Sequence, residues 1–223
     1  MAEAAGRRGR RRRRPVPSVS TLLYLFANRL VPRDTALTMG VEVPCAGVKV
    51  QRRPLAEIMF AAAFFSLRQQ SLVQLSVGTR KVWFVTTGAV TVTRVGEGER
   101  SGLEGVVLQH LTGGPGDHVY DIIRRWLPTS VVDPWDRVIE HGVQEAAALG
   151  YLVKVDAHRG RVGAFLLGDT RLEGDCERIA ALGRQYERFA THWQYFCRSE
   201  RDLCRQLMKA CAKAIESRRD SSD

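Results

Sequence analysis

Seven arginines fall within eight residues near the start of the sequence: Arg7, Arg8, Arg10, Arg11, Arg12, Arg13 and Arg14. Guanidinium groups at this density attract phosphate by charge and charge-assisted hydrogen bonding, with little demand on shape. Anionic lipid headgroups, nucleic acid or an import receptor all suit such a segment. Set against Glu3, these arginines supply +6 of the chain's formal charge of +10. The body is therefore only mildly basic, unlike a dedicated nucleic-acid surface. Smaller basic sets lie further on: Arg52 and Arg53 ahead of an Ala-rich segment, Arg124 and Arg125 beside Trp126, and Arg137. An arginine pair next to a tryptophan can hold a phosphate while the ring meets apolar surroundings. These positions form the candidate anion-binding set.

Other chemistries find little support. His110, His118, His141, His158 and His192 form no i, i+4 pair and have no cysteine at ligand spacing, so no metal is expected. The Gly113-Gly114-Pro115-Gly116 run follows a helical segment and lacks a Gly-Lys-Ser/Thr continuation, which makes it a connector. No Gly-x-Ser-x-Gly elbow occurs, and Cys45 has no local histidine partner. A binding protein without catalytic residues or cofactor is the expectation. Cys45, Cys176, Cys197, Cys204 and Cys211 include no CxxC pair. The last three recur every seven residues along one helical stripe, which suggests buried, reduced thiols in a reducing compartment.

A chain of 223 residues can bury an adequate core. No secretory signal is visible, and the most apolar stretch, residues 58–67, is shorter than the roughly 20 residues that span a bilayer. Residues 1–20 lack apolar periodicity and are expected to be disordered. A globular domain is expected over 21–170 and a helical segment over 171–223. Within the domain, Thr21 to Leu30 reads as a short amphipathic helix and Val41 to Val50 as a hairpin. A helix is expected from about Leu55 to Gln70, followed by three short strands, Leu72 to Val77, Val82 to Thr86 and Ala89 to Val95. Ser101 with Glu104 has capping-box spacing for a helix to Leu111. Val119 to Leu127 forms the next helix, and Asp133-Pro134 opens a third that ends near Gly150. Strands at Tyr151 to Val155 and Val162 to Leu167 then pair as a wing.

One arrangement occurs twice. An Ala-rich helix passes within a few residues into an alternating apolar strand, at residues 61–75 and again at 143–155. Winged helices join their third helix to the wing in this way. The expected fold is thus helix-rich α+β, with tandem winged-helix-like units over about 55–95 and 103–168 and a long C-terminal helix. Leu67, Leu72, Leu149 and Leu152 should be buried at its helix–strand junctions. The last segment carries Ile179, Leu182, Tyr186, Phe189, Trp193, Phe196, Leu203 and Leu207 at three- and four-residue steps, broken only by Glu200. Its aromatic character favours packing on the chain's own domain over a symmetric two-helix seam.

The middle of the chain, about residues 22–170, resembles the Golgi phosphoprotein 3 family. The resemblance rests on Phe64-Phe65-Ser66-Leu67-Arg68-Gln69-Gln70-Ser71-Leu72-Val73-Gln74-Leu75, the helical run from Gly105 to Leu111, Tyr120-Asp121-Ile122-Ile123-Arg124-Arg125-Trp126-Leu127, and Asp133-Pro134-Trp135 leading to Ala147-Ala148-Leu149-Gly150-Tyr151-Leu152. It implies a mostly helical peripheral membrane protein on the cytosolic face of the Golgi, with a basic disordered N-terminus, that binds phosphatidylinositol 4-phosphate. It also implies a headgroup pocket near Arg52, Arg53 and Arg137. The resulting expectation is a non-enzymatic adaptor at anionic, phosphate-bearing membrane surfaces, with a protein partner. The alternative is a nuclear winged-helix protein that binds nucleic acid, with Arg68, Gln69 and Gln70 or Gln144 and Glu145 facing the ligand.

Overall fold

The computed structural model describes residues 16–35, 40–82, 85–113, 117–130, 132–155, 165–167 and 170–219. The Arg7 to Arg14 segment, and the expected disorder there, lie outside the described residues. The fold is helix-rich α+β with small antiparallel sheets, and it ends in long helices.

Helix α1 (Val19–Leu25) begins inside the segment read as tail, because the Ser18 side chain caps it by accepting from Thr21 N. A 3-10 turn follows over Ala27–Arg29. The expectation of an amphipathic helix here fails. Leu22, Leu23, Tyr24, Leu25 and Phe26 are all buried, since α1 packs among four later helices and no side remains for water. Strands β1 (Val41–Glu42) and β2 (Lys49–Val50) form the expected hairpin, with Val41 opposite Val50.

Helix α2 (Arg52–Gln69) is the centre of the molecule. Every residue from Met59 to Leu67 is buried, and helices pack around it on several sides. Ala61, Ala62 and Ala63 let those neighbours approach closely, and a helix that is apolar all round is stable only in such a position. Strands β3 (Val73–Val82) and β4 (Val85–Arg94) follow as one antiparallel hairpin with Val73 opposite Arg94. Three short strands were expected. Gly78 and Gly88, which fall between the expected strands, instead lie within the ladder opposite Ala89 and Thr79. The valines and threonines around them carry the extended conformation through both glycines.

Helix α3 (Gly102–Gln109) starts where expected, but no capping box forms: Ser101 makes no side-chain cap bond. Glu104 turns inward to α1 instead. Strand β5 (Asp117–His118) adds to β4, and helix α4 (Val119–Trp126) follows. In helix α5 (Pro134–Ala148), Asp133 caps as expected, accepting from Trp135 N at 3.0 Å and Asp136 N at 3.1 Å. Gly142 lets α5 lie against α1 and α2, because a Cβ there would meet Met59 Cε at 2.7 Å.

The third sheet has the order β6-β8-β7, from Leu152–Val155, Phe165–Leu167 and Thr170–Gly174 numbered in chain order. The expected pairing of β6 with the Val162 to Leu167 segment is therefore corrected. Strand β8 pairs with β6, and β7 lies on the far side of β8.

The two helix–strand junctions share one hydrogen-bond pattern. After α2, Leu72 N donates to Leu67 O and Ser71 N to Arg68 O. After α5, Tyr151 N donates to Ala146 O and Gly150 N to Ala147 O. Ser71 (φ 55°) and Gly150 (φ 73°) take the left-handed conformation that ends each helix. A returning strand then reaches back, with Val95 N donating to Leu72 O and Asp175 N to Tyr151 O. Leu67, Leu72 and Leu152 are buried, whereas Leu149 is half-buried. The pattern explains the exception: Leu67 corresponds to Ala146 and Leu72 to Tyr151, so Leu149 matches the exposed Gln70.

The C-terminal segment is three helices, α6 (Cys176–Ala181), α7 (Gly183–Ser199) and α8 (Arg201–Arg219), where a single long one was expected. The apolar seam packs on the chain's own body. Phe65 of α2 meets Phe189, Trp193 and Phe196 of α7 with ring centroids 6.2, 5.3 and 4.7 Å away, and α8 crosses α2, α4 and α5. The reading of reduced thiols is also overturned. Cys45 is bonded to Cys176 and Cys197 to Cys204, leaving Cys211 as a buried free thiol. The seven-residue spacing had implied a straight helix, but the chain folds back at Glu200 and brings Cys197 and Cys204 together.

Candidate anion-binding cluster

Trp135 sits in the first turn of α5, 5% exposed, at the crossing with α8. The Arg53 guanidinium carbon lies 5.5 Å from its ring centroid and that of Arg219 lies 6.0 Å away. Arg53 comes from the first turn of α2 and Arg219 from the last turn of α8, so the site joins three helices distant in sequence. The indole Nε1 is buried and has no hydrogen-bond partner.

Carboxylates hold much of the surrounding charge. Arg52 reaches Asp133 Oδ2 at 2.8 Å and Asp136 Oδ2 at 3.0 Å. Arg53 bonds Glu57 and Glu216, both at 3.0 Å. The Glu57 hydrogen bond, with both carboxylate charges, raises the Arg53 pKa despite its partial burial. Burial and the nearby Asp133 charge raise Asp136. Beside this network, Arg218 donates to the Arg124 carbonyl oxygen, and the Arg124 guanidinium carbon lies 5.5 Å from the Tyr120 ring centroid. Burial and the adjacent Arg124 charge lower the Arg218 pKa. Two guanidiniums this close favour an anion between or beside them.

The structure thus divides the candidates. Arg53 and Arg124 meet the last turns of α8 through Glu216 and Arg218, while Arg52 is held at the start of α5 by Asp133 and Asp136. Arg125 turns away, donating to Asp117 Oδ1 at 2.8 Å and to the His110 carbonyl oxygen; residues 114–116 of the Gly-rich connector lie outside the described residues. Burial alone would raise Asp117, but bonds from Arg125 and Thr112 hold its carboxyl below the usual range. Trp126 packs on Phe60 and His141, at 5.4 and 5.7 Å, so the Arg124-Arg125-Trp126 run is not one phosphate clamp. Arg137 pairs loosely with Glu140 at 3.6 Å on the α5 surface. Trp135, Arg218 and Arg219 were missed. The signal was an arginine pair at the end of an amphipathic helix, yet nothing in the sequence folds that end back onto α5.

The cluster's donors are guanidiniums, which neither take nor give a proton near neutral pH. Its chemistry is recognition by charge and hydrogen bonds. A second polar centre holds the start of α1. Glu104, 2% exposed, accepts from Val19 N at 2.7 Å and Ser20 Oγ at 2.9 Å. Glu145 accepts from the Ser18 and Thr21 hydroxyls. Burial pushes the Glu104 carboxyl up to about 7. That value would suit a general acid, but its oxygens are occupied in fastening α1.

Comparison with protein-family models, with curated proteins and with solved structures finds no match to the chain. Among the described residues, no helix is long and apolar enough to cross a membrane, and no group of three or more His, Cys, Asp or Glu side chains is placed to hold a metal.

Proposed function

We propose that the chain is a non-enzymatic adaptor that binds phosphorylated headgroups at a membrane surface, phosphatidylinositol 4-phosphate being the ligand its resemblance to the Golgi phosphoprotein 3 family suggests. The observation that carries this reading is the gathering of Arg53, Arg124, Arg218 and Arg219 around Trp135 and the α8 end. A phosphate there meets several guanidiniums, that of Arg53 already shared with Glu57 and Glu216, while Arg7 to Arg14 add a long-range attraction. A protein partner belongs to the same adaptor reading. So do tandem winged-helix-like units, which the shared junction geometry of α2 and α5 supports.

Nucleic-acid binding is less well supported. The central part of α2 is buried on all sides and has no outward face to read bases. The exposed side of α5 mixes Arg137 and Gln144 with the half-buried Asp136 and Glu140, whose charge repels phosphate. The cytosolic face of the Golgi or a comparable membrane goes with the family resemblance, and the nucleus with the alternative. Two disulfides fit an oxidising compartment better than either.

The test is co-sedimentation with phosphatidylcholine vesicles containing or lacking phosphatidylinositol 4-phosphate, with duplex DNA as a competitor. Arg219→Glu should lower binding to the phosphoinositide vesicles by several-fold while leaving the melting temperature within a degree or two. Equal binding to both vesicle types would overturn the reading, and efficient competition by DNA would favour the alternative.

A further inference from the structure

The joint between α7 and α8 excludes an arrangement that its sequence otherwise permits. Residues Cys197 and Cys204 are bonded, with Cα atoms 5.2 Å apart. On one straight helix, residues seven apart are separated by about 10.5 Å, beyond the roughly 7 Å a disulfide can bridge. The bond and an unbroken helix are thus mutually exclusive. Yet neither proline nor glycine lies between Phe196 and Leu203, and these two keep the same apolar phase across the break. The helix is interrupted only at Glu200 (φ −120°, ψ 52°).

Helix α7 is a strut between two joints. At its start, the side of Gly183 faces open space, and α6 beyond it is fastened by the Cys45–Cys176 bond. At its end lies the Cys197–Cys204 elbow. Between them, α7 is held by Phe189, Trp193 and Phe196 around Phe65. An ion pair joins Arg68 to Glu200 at 2.8 Å. Beside that pair lies a crevice of about 210 Å³ lined by Phe65, Arg68, His192, Tyr195, Phe196 and Glu200. Tyr195 on its rim is 72% exposed.

We propose that Cys197–Cys204 is a reducible site that acts as a latch: oxidised, it holds the end of α7 over Phe65, and reduced by a dithiol, it frees that end to swing away and open the crevice. Cys197 is half-buried and Cys204 buried, so attack falls on the Cys197 sulfur. The incoming thiolate forms a mixed disulfide with Cys197 and Cys204 leaves as a thiolate. The reductant's second thiolate then attacks its own sulfur in that mixed disulfide and releases Cys197. One protein disulfide and one dithiol become two protein thiols and one oxidised reductant. The latch does not depend on the anion-binding reading.

Hydrogen exchange on the full chain tests it, comparing the oxidised protein with a Cys197→Ser/Cys204→Ser variant and with the unmodified protein under dithiothreitol. Losing the closure constraint on so short a loop should speed exchange in residues 183–200 by roughly 10- to 100-fold. Trp193 emission should shift to the red, with α2, α4 and α5 unchanged. Equal exchange in all three forms would overturn the proposal, as would acceleration spread evenly over the whole chain. Should the double variant fail to fold, dithiothreitol acting on a Cys45→Ser/Cys176→Ser variant decides, because Cys197–Cys204 is then the bond left to reduce. Alkylation of Cys197 and Cys204 in the native, unreduced protein would also overturn it.

Discussion

Glu104 looks in the sequence like a capping-box residue for its own helix, and in the structure it serves another helix 84 residues away. Its carboxyl is raised to about 7 by burial, so the folded protein keeps a proton that the unfolded chain releases above about 4.5. The stability it contributes is therefore fully present below about pH 4.5, declines as pH rises to about 7, and is level above that. The decline is on the order of 3 kcal/mol. Denaturant titrations of the parent and Glu104→Gln from pH 4.5 to 7.5 should converge at the acid end and separate toward neutrality, with the flatter profile in the variant. Parallel profiles would mean that Glu104 ionises freely in the fold. Trp193, 6% exposed against Phe65, tests packing instead. Trp193→Ala should cost about 3–5 kcal/mol, with a melting temperature independent of protein concentration because the partner rings belong to the same chain.

The helix–left-handed residue–strand junction is the element most legible in the sequence, and it occurs twice for a local reason. An Ala-rich helix meets a residue able to turn left-handed, and an alternating apolar segment follows. Gly150 suits that conformation; Ser71 does not. Ser71→Gly should therefore raise stability by up to about 1 kcal/mol. Gly150→Ala should lower it by at least that much, because the new Cβ would also meet Arg178 Nη1 at 2.6 Å. Thermal melts of both variants check the pair, and a destabilising Ser71→Gly would point to a role for its hydroxyl. Helix starts at Pro134 and near Pro54 were legible for the same local reasons. Strand pairing was not: β8 displaces β7 from beside β6, a choice made between segments with similar alternation. The site was half legible. Arg52 and Arg53 stood out by type, whereas Arg219 meets Trp135 only because α8 folds back across 84 residues of sequence.

At the scale of the whole molecule, formal charge and fold are separable. The basic segment before Val16 holds most of the net charge, while many of the body's arginines are matched to carboxylates. Removing residues 1–15 lowers the formal charge from +10 to +4. It should reduce binding to anionic vesicles sharply and flatten its dependence on salt, with the melting temperature unchanged. Binding that stays the same at low salt would place the affinity in the body. The fastening of α1 has a consequence in time as well as in space. A ribosome delivers Ser18 first and Glu145 after 127 further residues, roughly 6–25 s later at 5–20 residues per second. During that interval Leu22, Leu23 and Leu25 can meet α2 but lack α5, and Phe26 still lacks Tyr186 of α7. The nascent chain thus carries a partly covered apolar segment through much of its own synthesis, a natural target for chaperones. A circular permutant that places α1 after α5 would remove the wait, and its yield of soluble protein at high expression should rise.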